Sequence, residues 1–254
     1  MGQSRITARQ GLFRRAWMSL TESFGRQYHE KGWEVVESVY EPDECERIAE
    51  LSLKYVDHTP TTKDGIQEPR KVKLAYPCDV EFRRFAHDNR LLTLVRQLLD
   101  GMDPLLMMDQ VFMKPPNFGT RKPFHQDNAY FRCEPADEIV TAWIALDDVD
   151  ESNGCVRYID GSHRGDVVDH HGVKGEEYHL TPEEKDIDRD RESKGLVKKG
   201  GVIFHHSKAL HGSGPNTSDR WRRGYATHWV TKNVHSESAI YRRGFFHLPD
   251  YPNL

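Results

Sequence analysis

The 254-residue sequence lacks long apolar runs. Hydrophobic residues make up 37% of it and the mean hydropathy is −0.76. A membrane-spanning helix needs about 20 consecutive apolar residues, so we expect no association with a membrane. A surplus of basic residues is also absent, since 36 Lys and Arg stand against 40 Asp and Glu. The resulting net charge of −4 argues against a basic nucleic-acid-binding surface.

Closely spaced cysteines are missing as well. The four cysteines form no CxxC pair, which excludes zinc ribbons and redox motifs that depend on local spacing. We therefore expect free, buried thiols at Cys45, Cys78, Cys133 and Cys155, in a reducing compartment. The first residues contain no apolar signal-peptide core. Together these features predict a cytoplasmic protein.

Hydrophobic periodicity divides the chain into two parts. Residues 8–31, 42–56 and 91–99 have helical spacing, and Trp33 to Tyr40 forms a short strand between the first two helices. Arginines near the start alternate with apolar residues, which favours an amphipathic helix over a transit peptide. From residue 105 the period changes to 2. Strands are predicted at 105–114, 124–131, 140–146, 155–159, 195–198, 202–206 and 224–230.

This order predicts a mostly β protein with flanking helices, in which a barrel or sandwich forms the core. No internal repeat or low-complexity linker interrupts it. We expect one domain over 1–254, with a helical part at 1–104 and a β core at 105–232. One long polar stretch, 161–195, separates two strands. A loop of that length within a compact domain is usually a lid or a binding loop, so we predict a mobile lid.

His125 and Asp127 are the strongest candidates for chemistry. Residues i and i+2 of a strand point to the same face, so an imidazole and a carboxylate would lie side by side. Two histidines and one carboxylate on one face of an octahedral iron(II) leave three positions open. His211, just before a glycine-rich turn, is the preferred third ligand. His205 and His206 compete with it, although adjacent strand residues face opposite sides.

Arg222 follows His211 by eleven positions. An always-charged guanidinium there could bind a carboxylate through two hydrogen bonds. Its neighbours Arg220 and Arg223 are equally basic. Strand alternation places Arg223 with Tyr225, so this pattern alone does not choose among the three arginines.

Six segments together resemble the phytanoyl-CoA dioxygenase family of iron(II)/2-oxoglutarate oxygenases, over residues from about 30 to 230. They are Met113-Lys114-Pro115-Pro116, Phe124-His125-Gln126-Asp127-Asn128-Ala129-Tyr130-Phe131, Trp143-Ile144-Ala145-Leu146-Asp147-Asp148, Glu151-Ser152-Asn153-Gly154-Cys155, Gly161-Ser162-His163 and His211-Gly212-Ser213-Gly214-Pro215-Asn216. The resemblance implies a double-stranded β-helix, also called a jelly-roll or cupin-like fold, with the metal at its open end.

The family's site residues can be placed on this sequence. The resemblance implies that His125, Asp127 and His211 bind iron and that Arg222, rather than its neighbours, binds the far carboxylate of 2-oxoglutarate. Further cosubstrate contacts are implied for Ser213, Trp143, Gln110 and Lys73. Gln110 and Lys73 rest only on ungapped spacing before the Lys114-Pro115-Pro116 motif. Core packing for Trp143 and a solvated strand charge for Lys73 are the plainer alternatives.

The implied activity is oxidation of a small-molecule metabolite by dioxygen and 2-oxoglutarate, with release of succinate and CO2. Asp127 stands where related halogenases have Gly or Ala, so hydroxylation is expected rather than halogenation. A non-catalytic binding member of the fold and, further away, a zinc hydrolase are the alternatives. We expect a monomer or homodimer with a small-molecule substrate and no nucleic-acid partner.

Overall fold

The computed structural model describes residues 23–56, 71–174, 179–236 and 238. Helices dominate its N-terminal part. The helices are α1 (Arg26–Lys31), α2 (Pro42–Tyr55), α3 (Val80–Ala86) and α4 (Asn89–Leu98), with strands β1 (Trp33–Val36) and β2 (Lys71–Lys73) between them. The predicted helix at 8–31 is interrupted at Gly25, whose φ is +96°. Residues 8–22 and the predicted loop at 57–70 lie outside the described residues.

The ends of α2 and α4 follow from their sequences. Glu41 and Glu44 form a reciprocal capping box at the start of α2, where Pro42 needs no hydrogen-bond partner. Asp88 accepts a hydrogen bond from the Arg90 amide at the start of α4. The chain leaves α4 through Gly101, whose φ of +81° suits glycine. The predicted helices at 42–56 and 91–99 are therefore confirmed.

Antiparallel strands form the rest of the chain. They are β3 (Leu105–Lys114), β4 (Lys122–His125), β5 (Cys133–Glu134), β6 (Ile139–Ala145), β7 (Val156–Ile159), β8 (His170–Gly172), β9 (Leu180–Pro182), β10 (Glu192–Gly195), β11 (Val202–His206), β12 (His211–Ser213), β13 (Arg222–Val230) and β14 (His235–Ser236). A short helix, α5 (Asp127–Phe131), follows β4. The major sheet has the order β1-β11-β6-β13-β3-β2, and the minor sheet β10-β7-β12-β4.

The two faces of the major sheet have different partners. Val111, Ile144 and Tyr225 lie on the outer face and join the apolar core formed with the helices. Trp143 and Ala226 lie on the inner face and pack against Val156 and Tyr158 of the minor sheet. Two facing antiparallel sheets with helices outside confirm the predicted double-stranded β-helix fold class.

Two strand predictions were wrong. The predicted strand at 124–131 ends at His125, and the chain continues as α5. The Asn128 side chain bonds both the amide and the carbonyl of Cys133, which closes a chain reversal that a strand could not form. The strand predicted at 195–198 lies earlier, at Glu192–Gly195, and only Val197 makes a further bridge, to Val149.

The polar insert at 161–195 is more structured than expected. β8 and β9 form a small hairpin, and β10 pairs with β7 in the minor sheet. Ile187 is buried against Phe124, Ile159 and Leu210. The last part of the predicted lid is therefore a strand of the barrel.

No helix among the described residues is long and apolar enough to cross a membrane. All four cysteines are free, and Cys45, Cys133 and Cys155 are buried as predicted. The prediction was wrong for Cys78, which is exposed.

Candidate active site

Three residues from three elements meet inside the barrel. His125 ends β4, Asp127 begins α5, and His211 begins β12. β4 and β12 are neighbouring strands, and His211 lies directly opposite His125. One potential ligand atom from each residue falls within 4.8 Å of the others, and all three residues are buried. The structure thus brings together the three residues that the sequence suggested as metal ligands.

Asp127 reaches this position by a different route from the one predicted. It is the first residue of a helical turn rather than the second member of a strand pair. The turn is held by the Asn128 amide, which donates to Ser207 O, and by the Ala129 amide, which donates to Gln126 O. His125 and Asp127 therefore converge through a change of backbone direction, not through strand alternation.

The two histidine rings are oriented by backbone carbonyls. Nδ1 of His125 lies 2.9 Å from Pro123 O, and Nδ1 of His211 lies 2.9 Å from Ala209 O. Each Nδ1 therefore carries the proton, and each Nε2 offers its lone pair. Both Nε2 atoms face Oδ1 of Asp127, at 3.6 and 3.7 Å. This is a suitable donor set for a divalent transition metal.

Burial keeps the imidazoles neutral. Desolvation, assisted by the charge of Lys122, lowers the pKa of His125 to about 4. Desolvation also holds the pKa of His211 well below its ordinary value. For Asp127, burial opposes ionisation, but interactions with His211, His125 and His205 outweigh it and keep the pKa well below the usual range. At neutral pH the group offers two lone pairs and one negative charge.

His205 and His206 separate as adjacent strand residues should. Nε2 of His205 lies 3.1 Å from Oδ2 of Asp127, whereas Nε2 of His206 lies 3.2 Å from Asp137 in the opposite direction. The expectation that at most one of them points inward is confirmed. His205 lies beside the three-residue group without being part of it.

Three further residues around Asp127 were missed by the sequence analysis. Thr141 Oγ1 donates to Oδ2 of Asp127 and accepts from Nδ1 of His228, and the Tyr158 hydroxyl bonds His205. Strand parity was a usable signal for His228, which lies six positions after Arg222 on the same face of β13. No local pattern marks Thr141 or Tyr158.

Arg222 lies fully inside the barrel. Its Nη2 is 3.5 Å from Ser213 Oγ, and within the described residues its Nε has no hydrogen-bond partner. Its guanidinium carbon lies 5.5 Å from the Trp143 ring centre. Burial lowers the pKa of Arg222 to about 10, so the side chain is still a cation at neutral pH. Ser213 shares the inner face of β12 with His211, which places this cation on the same side of the strand as the candidate metal ligand His211.

The neighbouring arginines have other partners. Arg220 pairs with Asp150 at 2.6 Å on the surface, and Arg223 pairs with Asp147 at 2.7 Å on the outer face. The structure therefore separates Arg222, which lies inside the barrel beside Ser213, from both neighbours.

Lys114 is a second buried cation near Ser213, and the sequence predicted no role for it. Nζ of Lys114 donates to Ser213 Oγ at 2.7 Å and to Gly214 O. Lys114 and Arg222 are directly opposite each other on β3 and β13. Ser213 Oγ thus lies between two positive charges.

The remaining predicted residues share one row of the inner face. Lys73 is opposite Gln110, Gln110 is opposite Ala226, and Ala226 is opposite Trp143. Trp143 fits because Gly224 has no side chain: a Cβ there would come within 1.9 Å of the indole. Lys73 is exposed, as its solvated alternative required, although its strand position is consistent with the expected row.

Comparison with known proteins identifies the family. The family model described as Phytanoyl-CoA dioxygenase (PhyH) matches residues 28–224. This chain belongs to that family. The chain is 28% identical over 240 residues to the bovine peroxisomal phytanoyl-CoA dioxygenase, covering 82% of this chain and 68% of the relative. A zebrafish phytanoyl-CoA dioxygenase domain-containing protein 1 is 30% identical over 152 residues, covering 58% of this chain and 52% of the relative.

The human peroxisomal phytanoyl-CoA dioxygenase is 30% identical over 166 residues. This match covers 62% of this chain and 48% of the human protein. The chain thus spans about half to two thirds of these relatives. Among solved structures, the epimerase SnoN in complex with Fe3+, alpha ketoglutarate and nogalamycin RO matches with a TM-score of 0.72 and 20% identity, covering 89% and 87%. EvdO2 from Micromonospora carbonacea matches with a TM-score of 0.68 and 21% identity, covering 81% and 88%. These structures confirm the fold.

Proposed function

We propose that this protein is an Fe(II)- and 2-oxoglutarate-dependent oxygenase that hydroxylates or otherwise oxidises a small-molecule metabolite, with succinate and CO2 as coproducts. One observation carries the proposal. Two neutral imidazoles and a carboxylate converge next to Arg222, a buried cation whose Nε has no hydrogen-bond partner among the described residues. Burying a charge is costly unless it is paired, so this arrangement favours a bound anion beside a metal.

The residues present fit an iron ion. A face formed by two histidines and one carboxylate is the usual donor set of non-haem iron(II) oxygenases. His125, Asp127 and His211 would hold the metal, which when bound supplies the open coordination positions and the oxidising chemistry. The protein orients these ligands through Pro123 O and Ala209 O, and it excludes bulk water by burying all three.

The residues present also fit the cosubstrate. Arg222 would bind the far carboxylate of 2-oxoglutarate through two hydrogen bonds, with Ser213 and Lys114 as additional donors. A carboxylate would satisfy the free Nε–H of Arg222 or its neighbouring N–H groups in a medium of low dielectric constant, where such bonds are strong. Trp143 would limit the width of the pocket, and Gln110 and Lys73 would lie along its next row.

The test is formation of succinate by the iron-loaded protein. The full chain is supplied with Fe(II), 2-oxoglutarate and dioxygen and is screened against fractionated metabolite pools. Stimulation of succinate formation by one fraction is the expected result. Absence of both 2-oxoglutarate binding and succinate formation would contradict the proposal.

The same assay separates the rival functions. A non-catalytic binding member of the fold would bind small molecules without forming succinate. A zinc hydrolase would act with zinc and without 2-oxoglutarate, and it would not need the Arg222 pocket. The screen identifies the substrate and the oxidised carbon. The polar insert at 161–195 holds ten Asp and Glu against six Lys and Arg, so it is acidic overall rather than balanced.

A further inference from the structure

Asp127 offers its two carboxylate oxygens to different groups. Oδ1 faces Nε2 of His125 and Nε2 of His211, at 3.6 and 3.7 Å. Oδ2 accepts a hydrogen bond from Thr141 Oγ1 at 2.9 Å and lies 3.1 Å from Nε2 of His205. One oxygen therefore faces the metal position, and the other is occupied by the protein.

Tyr158 fixes the proton position on His205. Its hydroxyl lies 2.9 Å from Nδ1 of His205, and both side chains are buried. An ionised carboxylate can only accept, so Nε2 of His205 carries the ring proton that points to Asp127, and Nδ1 accepts from the Tyr158 hydroxyl. The tyrosine is itself held in place, because its ring stacks on Trp33 with centres 4.7 Å apart. Trp33 Nε1 in turn donates to Asp160 at 2.7 Å.

We propose that His205, oriented by Tyr158, is a positioning residue that keeps Asp127 a one-oxygen metal ligand. This proposal rests on the proposed metal site and deepens it. A carboxylate free to turn could offer both oxygens and occupy a second coordination position. Two hydrogen bonds to Oδ2 oppose that rotation, so three positions stay open for cosubstrate and dioxygen.

The arrangement draws on both sheets. Thr141 and His205 are directly opposite each other on β6 and β11 of the major sheet, and Tyr158 is on β7 of the minor sheet. Tyr158 is also the register partner of His211. The same tyrosine thus packs beside one ligand and, through His205, orients another.

The experiment measures cobalt(II) binding by the metal-free full chain, with the affinity and the visible d–d absorption spectrum as readouts. His205→Leu is expected to weaken cobalt binding about 10–100-fold, the usual effect of losing a group that orients a metal ligand. Its spectrum is expected to change, because Asp127 can then bind through both oxygens. His205→Gln, whose amide N–H can reach the same oxygen, is expected to restore the wild-type spectrum and most of the affinity.

Tyr158→Phe provides a second test with less disturbance of packing. Loss of one buried hydrogen bond is expected to weaken cobalt binding about 2–10-fold. Tyr40→Phe is the matched control, since its buried hydroxyl donates to Phe85 O on the far side of the major sheet. This control is expected to bind cobalt as the wild type does.

The outcomes distinguish the two levels of inference. If His205→Leu and Tyr158→Phe keep the wild-type affinity and spectrum while His211→Ala does not bind, the positioning role is wrong and the proposed function stands. If His205→Gln binds cobalt as weakly as His205→Leu, His205 acts by packing and its role as a hydrogen-bond donor is wrong. If the wild type itself binds no cobalt, the metal site is wrong and this inference falls with it.

Discussion

His211 is the residue on which the ligand assignment depends most. It begins β12 opposite His125, and its Nδ1 is held by Ala209 O. We predict that His211→Ala abolishes iron retention, because a single carboxylate and a single imidazole bind weakly. Iron content after gel filtration measures this. His206→Ala is the control, since His206 faces Asp137 on the other side of its strand. Iron loss in the control with retention in His211→Ala would reverse the assignment.

Arg222 carries the second residue-scale prediction. Arg222→Ala is expected to weaken 2-oxoglutarate binding by a factor of about 30 to several thousand, since losing a buried charge-assisted pair costs about 2–5 kcal/mol. Metal affinity is expected to stay unchanged, because Arg222 is outside the three-residue metal group. Calorimetric titration of the metal-loaded protein measures both constants.

Arg220→Ala serves as the comparison for Arg222→Ala. Arg220 is on the surface, paired with Asp150, so its removal is expected to leave cosubstrate binding unchanged. Equal losses in the two variants would indicate a general electrostatic effect rather than a built carboxylate site.

At the scale of elements, the β8–β9 hairpin is fastened next to the metal ligands. The Leu180 amide donates to the Tyr130 hydroxyl at 2.8 Å, and the Gln126 amide lies 3.1 Å from Nε2 of His170. Gln126 also binds the segment just before β8, since its Oε1 accepts a hydrogen bond from the Val168 amide at 2.9 Å. Of the residues in these two strands, only Pro182 is buried. We therefore keep the prediction of a mobile lid for β8 and β9; residues 175–178 of the predicted lid lie outside the described residues.

Tyr130→Phe tests this hairpin directly. Losing the bond to Leu180 is expected to raise the opening of β8 and β9 about 2–10-fold. Hydrogen exchange of these two strands measures it, and limited proteolysis is expected to cut the same region first. Metal, cosubstrate and substrate together are expected to protect it. Substrate turnover is expected to fall more than uncoupled decarboxylation of 2-oxoglutarate, because closure of the site aligns the substrate.

The control for this variant is Tyr55→Phe, whose hydroxyl donates to Asp79 near helices α2 and α3. It is expected to leave exchange in the hairpin unchanged. Wild-type exchange, selectivity and turnover in Tyr130→Phe would show that the hairpin is a surface excursion without a role in catalysis.

Elements were predictable where one physical pattern dominated. Helical spacing predicted α2, and the change to strand-like segments separated by turn residues predicted β3 and β6. Hydrophobic periodicity could not predict the turn into α5. The Asn128 side chain makes local hydrogen bonds to Cys133 there, in place of the strand pairing that the pattern indicated. The three residues predicted as metal ligands nevertheless lie close together. Their residue types and the family resemblance selected them, although the stated geometric reason for His125 and Asp127 was wrong.

The groups around Asp127 show the limit of sequence inference at the scale of the whole molecule. Thr141, Tyr158 and His205 come from three strands in two sheets, and only their register brings them together. Register between distant strands is set by the packing of the complete barrel, not by a local motif. For the same reason the sequence predicted no role for Lys114, because only the register of β3 and β13 places it directly opposite Arg222.

Asp109 makes the stability of the whole fold depend on pH. It lies on the outer face of β3, where its Oδ2 accepts from Tyr225 and from the Tyr76 amide. Burial raises its pKa from 3.8 to about 6. The folded protein thus holds this proton more tightly than the unfolded chain. The contribution of Asp109 to the free energy of unfolding falls as pH rises from about 4 to 6, by about 3 kcal/mol.

Asp109→Asn tests this contribution. The free energy of unfolding of the variant, minus that of the wild type, is expected to increase as pH rises from 4 to 7, because only the wild type loses stability over this range. Urea denaturation at several pH values measures the difference. Asp103→Asn, which alters an exposed partner of Arg96, is expected to show no such trend. A difference between Asp109→Asn and wild type that is constant with pH would contradict the prediction.

The pairing of β4 with β12 also bears on how the chain folds. His125 and His211 are far apart in sequence, and the strands that carry them become neighbours only when the minor sheet is assembled. Contacts of such long range form late, because the entropy of closing the loop is lost before they are gained. A folding intermediate built from the helices and local hairpins would therefore lack the metal site. The rate at which refolding chains acquire metal affinity would then measure the rate at which the barrel closes.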